Sequence, residues 1–391
     1  MSSNVPDVAV VGGGPAGAAA AVTLARLGLQ TIVIDATGSN RPHVGETLPP
    51  AVRPILQRLS PGLLERPGVS LASYGNQSSW GGPELESAAF IFEPYGRGLH
   101  VDRRRFDDAL LEAAVAAGAQ LLPGVRVRRA VPHEEGWQLE LQRASVSNLT
   151  AAAVIDAGGR RAGLARSLGA RRRVRDQLVG IAATFEGAHL AELPMLVEAT
   201  CEGWWYSAPL PLGRAVVAFM TDTDLCREGR YAHPQSWSQA LAATRYTRER
   251  LRSAAIASPV RVAWAATHRL ERGDSMRRWL AAGDAAIAVD PLSGSGVLRA
   301  LLTGEAAGMA IAHRLLGRTT PAEAYEQWLD RRFEEEWAAR TAFYEMERRW
   351  RDYPFWHRRS LPTTRAAGRA AADKPSFDAH DAPRTLSSRA V

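Results

Sequence analysis

Hydrophobic positions along this chain follow two different periods, which predict an alternation of buried strands and helices. Apolar runs at residues 8–11 and 31–35 predict two buried strands, and the alanine-rich stretch between them predicts a helix. A short helix is predicted at 52–59, after a loop that contains Pro and Gly, and amphipathic spacing predicts a further helix at 102–117. The start of the chain is therefore predicted to be a strand–helix–strand unit of an α/β protein.

Two later apolar strands have the same character as the first ones. Residues 152–156 end in Asp156 and a glycine turn, and residues 279–289 lead into a long apolar helix. We expect both strands to join the first sheet. The domain that contains this sheet would then be discontinuous, with segments 1–68, 100–177 and 271–320.

The segments between these pieces have a different pattern. Residues 178–270 alternate apolar and polar positions, and residues 69–99 are short runs broken by Gly and Pro. They predict an interleaved domain built on an antiparallel sheet, which would carry the substrate. Residues 321–356 are charged and helical, with aromatic side chains that could form one buried face, and residues 357–391 lack a period and are expected to be disordered.

Composition narrows the class of protein. The chain has 391 residues and a net charge of +7, but its arginines are scattered without a nucleic-acid motif, so no nucleic-acid partner is expected. No apolar stretch reaches the roughly 20 residues of a membrane span, and the first strand begins too early for a signal peptide, which predicts a cytoplasmic protein. Cys201 and Cys226 provide neither a disulfide framework nor metal-ligand spacing, so no metal is expected.

A glycine-rich turn joins the first strand to the first helix and predicts a dinucleotide-binding cradle. In VGGGPAG, Gly12 would permit a tight turn, Gly14 would let the backbone approach a pyrophosphate, and Gly17 would let the helix pack closely. Asp35 ends the second strand, where a carboxylate can accept hydrogen bonds from a ribose. The strand before the motif and the helix after it are the context that this motif requires.

Four motifs together resemble the FAD-dependent monooxygenases with a single dinucleotide fold. They are the glycine turn, DRRRFDDAL at 102–110, IDAGGR at 155–160 and AGDAAIAVDPLSGSG at 282–296. The resemblance implies a FAD-binding, Rossmann-like domain of the glutathione-reductase type, with an interleaved antiparallel-sheet substrate domain and a C-terminal helical segment.

The same resemblance implies how FAD is held. Arg103 would contact the pyrophosphate or ribityl chain, and Asp284 would bind the ribityl chain. The helix opened by Gly294 and Gly296 would point its amides at the flavin pyrimidine oxygens and favour the anionic reduced form. The full set of expected FAD-binding residues is Gly12, Gly14, Pro15, Ala16, Gly17, Asp35, Arg103, Asp284, Pro291, Gly294, Gly296 and Val297.

A narrower resemblance comes from VGETLPP at 44–50 and GWWYSAP at 203–209, which look like segments of the flavin-dependent tryptophan halogenases. Those enzymes need a lysine between flavin and substrate, whereas Lys374 is the one lysine of this chain. Halogenation is therefore disfavoured. Together with SYGNQSSWGG at 73–82, FEPYGRGLHVDRRRFD at 92–107 and DPLSGSG, the pattern is most similar to the flavoproteins that mature tryptophylquinone-containing amine and amino-acid oxidases.

This resemblance implies that C4a-hydroperoxyflavin inserts oxygen into an indole or phenol, small or carried on a partner polypeptide. Glu46 is our candidate for the catalytic base, with His43 and His100 as weaker candidates. Trp80, together with Trp204, Trp205 and Tyr206, could sandwich an aromatic substrate, although ordinary core packing explains any one of them.

Two other functions stay open, and so does the electron donor. One is a reductase of a prenyl or other double bond, although the pocket region is rich in Trp, Gln, Asn and Ser rather than aliphatic residues. The other is an assembly factor that binds flavin without turnover. Because no second GxGxxG unit is present, NAD(P)H would dock transiently or a separate flavin reductase would deliver electrons.

Overall fold

The computed structural model describes residues 5–36, 46–134, 136–187, 189–190, 193–271 and 278–360. The strands in chain order are β1 (Val8–Val11), β2 (Thr31–Asp35), β3 (Thr47–Leu48), β4 (Ser70–Ser73), β5 (Gly75–Ser79), β6 (Glu86–Ala89), β7 (Gly98–Val101), β8 (Gln120–Pro123), β9 (Arg126–His133), β10 (Gly136–Gln142), β11 (Asn148–Ala151), β12 (Ala153–Asp156), β13 (Arg171–Val174), β14 (Leu178–Glu186), β15 (Met195–Thr200), β16 (Gly203–Leu210), β17 (Arg214–Asp222), β18 (Ala255–Ile256), β19 (Arg261–Trp264), β20 (His268–Glu271), β21 (Trp279–Ala281) and β22 (Ile287–Ala288). The α-helices are α1 (Pro15–Arg26), α2 (Val52–Leu59), α3 (Arg103–Ala116), α4 (Gly163–Ser167), α5 (Thr223–Glu228), α6 (Pro234–Ala242), α7 (Tyr246–Arg250), α8 (Gly296–Leu315), α9 (Thr320–Met346) and α10 (Pro354–Ser360).

Five parallel strands form the first sheet, in the order β21-β12-β1-β2-β8. The prediction that the two later apolar strands join the first sheet is confirmed, because β12 pairs with β1 and β21 pairs with β12. Helix α1 packs against α3 and α8. A Cβ at Gly304 of α8 would lie 2.1 Å from the carbonyl oxygen of Ala16, so the backbones of α1 and α8 are in contact.

Eight strands form the second large sheet, in the order β18-β14-β17-β16-β15-β5-β6, with β19 also paired to β14. The pairs are antiparallel except for β5 and β15, which run parallel with Met195 opposite Asn76. This pair departs from the predicted antiparallel sheet because β5 reaches β15 through a long crossover that includes α3, α4 and strands β8 and β12 of the first sheet.

The sequence pattern predicted that residues 69–99 belong to that large sheet, but only some of them do. Strand β7 pairs with both β3 and β4 in a separate three-stranded antiparallel sheet, and only β5 and β6 of this region join the eight-stranded sheet. The small sheet sets Thr47 directly opposite His100. Two further three-stranded antiparallel sheets have the orders β11-β10-β9 and β13-β20-β22.

Residues 223–250 form the helices α5, α6 and α7, which corrects the prediction of a sheet throughout 178–270. Pro234 lies in the first turn of α6, and Trp237 of the same helix is fully buried. These helices have only 6, 9 and 5 residues. A helical period over so few positions cannot be separated from strand alternation in the sequence.

Helix α9 has 27 residues and buries Tyr325, Trp328, Phe333 and Tyr344, so most of the predicted aromatic face is confirmed, whereas Phe343 is 39% exposed. Helix α10 continues to Ser360 and therefore runs past the predicted start of the tail at residue 357. Residues 361–391 of that predicted tail lie outside the described residues. None of the helices in the described ranges is long and apolar enough to cross a membrane.

Candidate functional site

The turn after β1 has almost no space around two of its glycines. Gly12 has a φ of +111°, and a Cβ there would lie 2.3 Å from the carbonyl oxygen of Ala157. A Cβ at Gly17 would lie 1.9 Å from the carbonyl oxygen of Gly12. The fold itself therefore requires both glycines, whatever the turn binds.

Gly14 differs from its neighbours because its surroundings are open. A Cβ at this residue would meet no heavy atom of the described chain within 4 Å, and its φ of −72° is ordinary. Helix α1 starts here with Pro15 in its first turn and no side chain as a cap, so the amides of Ala16 and Gly17 belong to an open helix start. On the other side of the turn, the Gly13 amide donates to Asp35 Oδ1 at 3.3 Å. An open helix start next to glycine fits a phosphate group.

Arg103 begins α3 and is nearly buried, in a salt bridge of 3.1 Å with Asp107. Burial alone would lower the pKa of Arg103, but the charge of Asp107, with contributions from Glu46 and Asp284, raises it. The carboxylates of Glu46 and Asp284 are therefore both close to this guanidinium. Three segments that are far apart in sequence, those of Glu46, Arg103 and Asp284, therefore lie near one another.

Asp284 lies in the 3₁₀ turn Gly283–Ala285 that follows β21. Its carboxylate contacts Arg160 Nε at 3.2 Å and has Arg299 Nη2 at 3.9 Å. Arg160 also donates to the carbonyl oxygen of Ala266 at 2.8 Å, so this arginine satisfies a turn as well as a carboxylate. The Asp284 side chain remains 32% exposed, which leaves oxygen surface for ribityl hydroxyls.

A second open helix start follows Asp290. Pro291–Ser293 forms a 3₁₀ turn that Gly294 ends with a φ of +60°, and α8 begins at Gly296 without a side-chain cap. A Cβ at Gly294 would meet no described heavy atom within 4 Å. Val297 is buried, so its side chain packs in the core and its predicted role with FAD is reduced to its backbone amide.

A polar network links the small sheet to the large one. Thr47 Oγ1 lies 2.7 Å from the hydroxyl of Tyr206 and 3.1 Å from Nδ1 of His100. Glu46, the residue before Thr47, is only 4% exposed. Glu46, His100 and Tyr206, which the sequence analysis named separately, are therefore brought together.

The electrostatics of this network favour the neutral forms of Tyr206 and His100. Burial, with a smaller effect of Glu46, raises the pKa of Tyr206 far above its ordinary value of 10.0, so it remains a phenol. Burial, with a smaller effect of Arg250, lowers the pKa of His100 from 6.5 to about 4. His100 is therefore a neutral imidazole near pH 7, and its tautomer decides whether Nδ1 donates or accepts.

The tryptophans that were expected around a substrate pack in hydrophobic cores instead. Trp80 is 7% exposed, donates its indole N–H to the carbonyl oxygen of Phe343 at 2.8 Å, and packs edge-on against Trp356. Trp204 and Trp205 are each 1% exposed and point to opposite faces of β16. These contacts give Trp80 a packing role, which corrects the prediction that it helps to sandwich a substrate ring at the catalytic site.

Other residues of the site were not found from the sequence. Arg299 is buried and contacts Glu336 at 2.6 Å, and the sequence signal for it is a single arginine within the apolar helix 296–311. Thr47 carries no such signal, because a threonine in a loop-like segment is unremarkable.

Two further predictions concern His43 and metal binding. His43 lies outside the described residues. Across the part of the chain that the structure describes, no three His, Cys, Asp or Glu side chains cluster so that they could hold a metal ion.

Two helix starts without side-chain caps, together with Arg103 and Asp284, are groups whose chemistry fits a bound dinucleotide. Residues 7–267 match the protein family described as FAD dependent oxidoreductase. The chain therefore belongs to this family.

Three known proteins resemble the chain over most of its length. LodB of Marinomonas mediterranea, described as a FAD-dependent oxidoreductase, is 29% identical over 90% of this chain and 96% of its own. The structure of the chondrochloren halogenase CndH, a FAD-dependent halogenase, has a TM-score of 0.82 at 24% identity over 92% of this chain and 87% of its own. The peptidyl tryptophan dihydroxylase QhpG has a TM-score of 0.69 at 27% identity over 94% of this chain and 82% of its own. The fold is thus that of the halogenase-like FAD oxidoreductases.

Proposed function

We propose that this chain is a FAD-dependent monooxygenase that hydroxylates an indole-type ring, carried as a tryptophan side chain on a partner polypeptide in quinone cofactor biogenesis. The likeness to QhpG, described as essential for tryptophylquinone cofactor biogenesis, supports this substrate class. Bound FAD would supply the activated oxygen. The protein has to hold the ring, exclude water and accept the proton that the ring loses.

One observation carries the proposal: a halogenase-like fold whose sequence has no lysine before Lys374. The segment where the resemblance puts the halogenase lysine becomes β5, which contains Gly, Asn, Gln and Ser only. No other residue type offers an ammonium group that could bind a hypohalous acid. The chain therefore has a halogenase-like fold but lacks, in that segment, the ammonium group that halogenation needs.

Glu46 is the side chain that this proposal assigns as proton acceptor. Its carboxylate is buried and close to Arg103 and Tyr206, so it would act in a site that is shielded from water. The phenol of Tyr206 can donate to Thr47 Oγ1, and Thr47 can donate to the neutral imidazole of His100. These two hydrogen bonds would hold the Glu46–Thr47 segment in one position while Tyr206 and His100 both stay uncharged.

The test is a product analysis with the FAD-loaded protein, a chemical reductant, isotopically labelled O₂, bromide, and either free tryptophan or a tryptophan-containing peptide. We expect a hydroxylated indole that carries the label, more of it on the peptide, and no brominated product. Glu46→Gln should slow product formation about 100-fold with FAD still bound. Glu112→Gln, at an exposed salt bridge with Arg66, is the matched control. A brominated indole, or a substrate whose double bond is reduced, would contradict the proposal.

A further inference from the structure

Tyr344 of α9 connects two motifs that lie in different domains. Its hydroxyl donates to Asp290 Oδ2 at 2.8 Å and accepts from the indole N–H of Trp204 at 2.8 Å. Trp204 belongs to the GWWYSAP strand β16, and Asp290 begins the Asp-Pro turn that leads into α8. The tyrosine is 1% exposed, so water does not compete for these bonds.

Asp290 makes hydrogen bonds both within its turn and to residues outside it. Its Oδ1 accepts from the Leu292 amide at 3.0 Å, inside the turn, and its own amide donates to Thr267 Oγ1 at 3.1 Å. Oδ2 receives Arg340 Nε at 3.2 Å in addition to the hydroxyl of Tyr344. With 0% exposure, this carboxylate depends entirely on protein donors.

The direction of the hydrogen bonds is fixed by chemistry. An indole N–H can only donate, so the oxygen of Tyr344 has to accept from Trp204 and its one proton is available for Asp290. Burial, together with the charge of Asp290, raises the pKa of Tyr344 well above 10.0, so the proton stays on the phenol. The Arg340 guanidinium lies 4.2 Å from the centre of the Tyr344 ring and holds the ring in place.

We propose that Tyr344 is a positioning residue. Through its hydrogen bonds, the position of β16 determines the position of the turn 290–295 and of the start of α8. A helix start stabilises negative charge, such as that of a reduced flavin, only when its amides point at that charge. The Trp204–Tyr344–Asp290 bonds transmit the position of the substrate sheet to those amides. The proposal requires the flavin to lie at this turn, but it does not depend on which substrate is hydroxylated.

Tyr344→Phe tests this inference, because the ring is kept and only the hydroxyl is lost. We expect faster amide hydrogen exchange at residues 290–297 in both the FAD-free and FAD-loaded protein. We also expect weaker FAD binding and a lower two-electron midpoint potential, by up to about 30 mV, which corresponds to a tenfold change in the equilibrium.

The control is Tyr231→Phe, which removes another buried hydroxyl that donates to a carboxylate, Glu202, at 2.5 Å. This variant should lose stability without a change in potential or in exchange at the turn. Trp204→Phe breaks the same connection on the sheet side and is the second test if Tyr344→Phe does not fold. Its effect on the potential should not add to that of Tyr344→Phe.

Unchanged exchange and potential in Tyr344→Phe, with stability lost as in Tyr231→Phe, would overturn the inference and leave Tyr344 a packing residue. That result would not affect the proposed hydroxylation, which the product analysis tests separately. Fully additive effects of the Tyr344 and Trp204 substitutions would overturn it as well.

Discussion

At the scale of the residue, the glycines of the first turn show how fold and function can be separated. Gly12 and Gly17 have no space for a Cβ, so the fold alone accounts for them. Gly14 has open space where a Cβ would lie and ordinary backbone angles. A larger side chain at Gly14 therefore enters only the space that a ligand would use. The sequence motif does not distinguish these cases, because all three residues match it equally.

Gly14→Val should fold with little loss of stability and lose bound FAD, because the side chain blocks the approach of the pyrophosphate to the helix start. The measurement is the ratio of flavin absorbance to protein after purification, together with a thermal unfolding curve. Gly163→Val is the control, since Gly163 also starts a helix and has no heavy atom within 4 Å of a Cβ. A Gly14→Val protein that retains FAD at full stoichiometry would disprove the cradle.

His100 gives a pH prediction whose sign follows from its lowered pKa. Because the folded value of about 4 is below the ordinary 6.5, the fold favours the neutral ring, and this stability is complete above pH 6.5 and is lost as the pH falls towards 4. The free energy of unfolding, measured by urea titration, should fall by up to about 1.4 kcal/mol per pH unit for each such histidine. His268, whose pKa is lowered to about 4 by burial, Arg160 and Arg172, should contribute in the same way.

His100→Asn should reduce this pH dependence, and the same substitution at exposed His233 should not. A pH dependence between 6.5 and 4 that is equally steep in wild type and His100→Asn would show that His100 is not buried as a neutral ring.

At the scale of the element, α9 contacts the first turn of α8 through a buried ion pair. Arg299 of α8 pairs with Glu336 of α9 at 2.6 Å, with side-chain exposures of 4% and 9%. The sequence predicted a helix with a buried aromatic face here, and the helix and most of that face are confirmed. Its polar contacts were not predictable, because the partners of Glu336, Arg340 and Tyr344 come from segments that only the tertiary fold brings near.

Glu336→Ala should therefore destabilise the protein by about 3 kcal/mol, because the buried Arg299 loses its carboxylate partner at 2.6 Å and, among the described carboxylates, keeps only Asp284 at 3.9 Å. Urea unfolding of the variant measures this loss. The double variant Arg299→Met with Glu336→Leu should recover much of the stability. Glu249→Ala, in an exposed pair with Arg252, is the control with an expected loss below about 1 kcal/mol. Equal losses for Glu336→Ala and Glu249→Ala would show that the buried pair contributes no more to the free energy of unfolding than the exposed pair.

At the scale of the whole molecule, the chain passes several times between a parallel sheet and a large, mostly antiparallel sheet. The α/β class and the return of β12 and β21 to the first sheet were predictable, because long apolar runs and glycine motifs are local signals. The separation of β3, β4 and β7 into a small sheet was not, because strand pairing depends on contacts between distant residues such as Thr47 and His100. That small sheet is what brings Glu46 close to Arg103 and Tyr206.

The central claim is that this molecule activates oxygen on a bound flavin, and rapid mixing tests it most directly. The FAD-loaded protein is reduced without oxygen and mixed with oxygenated buffer, with and without a tryptophan-containing peptide, while the flavin spectrum is followed. The account predicts a transient oxygen adduct of the flavin that forms before reoxidation and decays faster when the peptide is present. Direct reoxidation without an intermediate under both conditions would contradict it and would favour a reductase or a flavin-binding assembly factor.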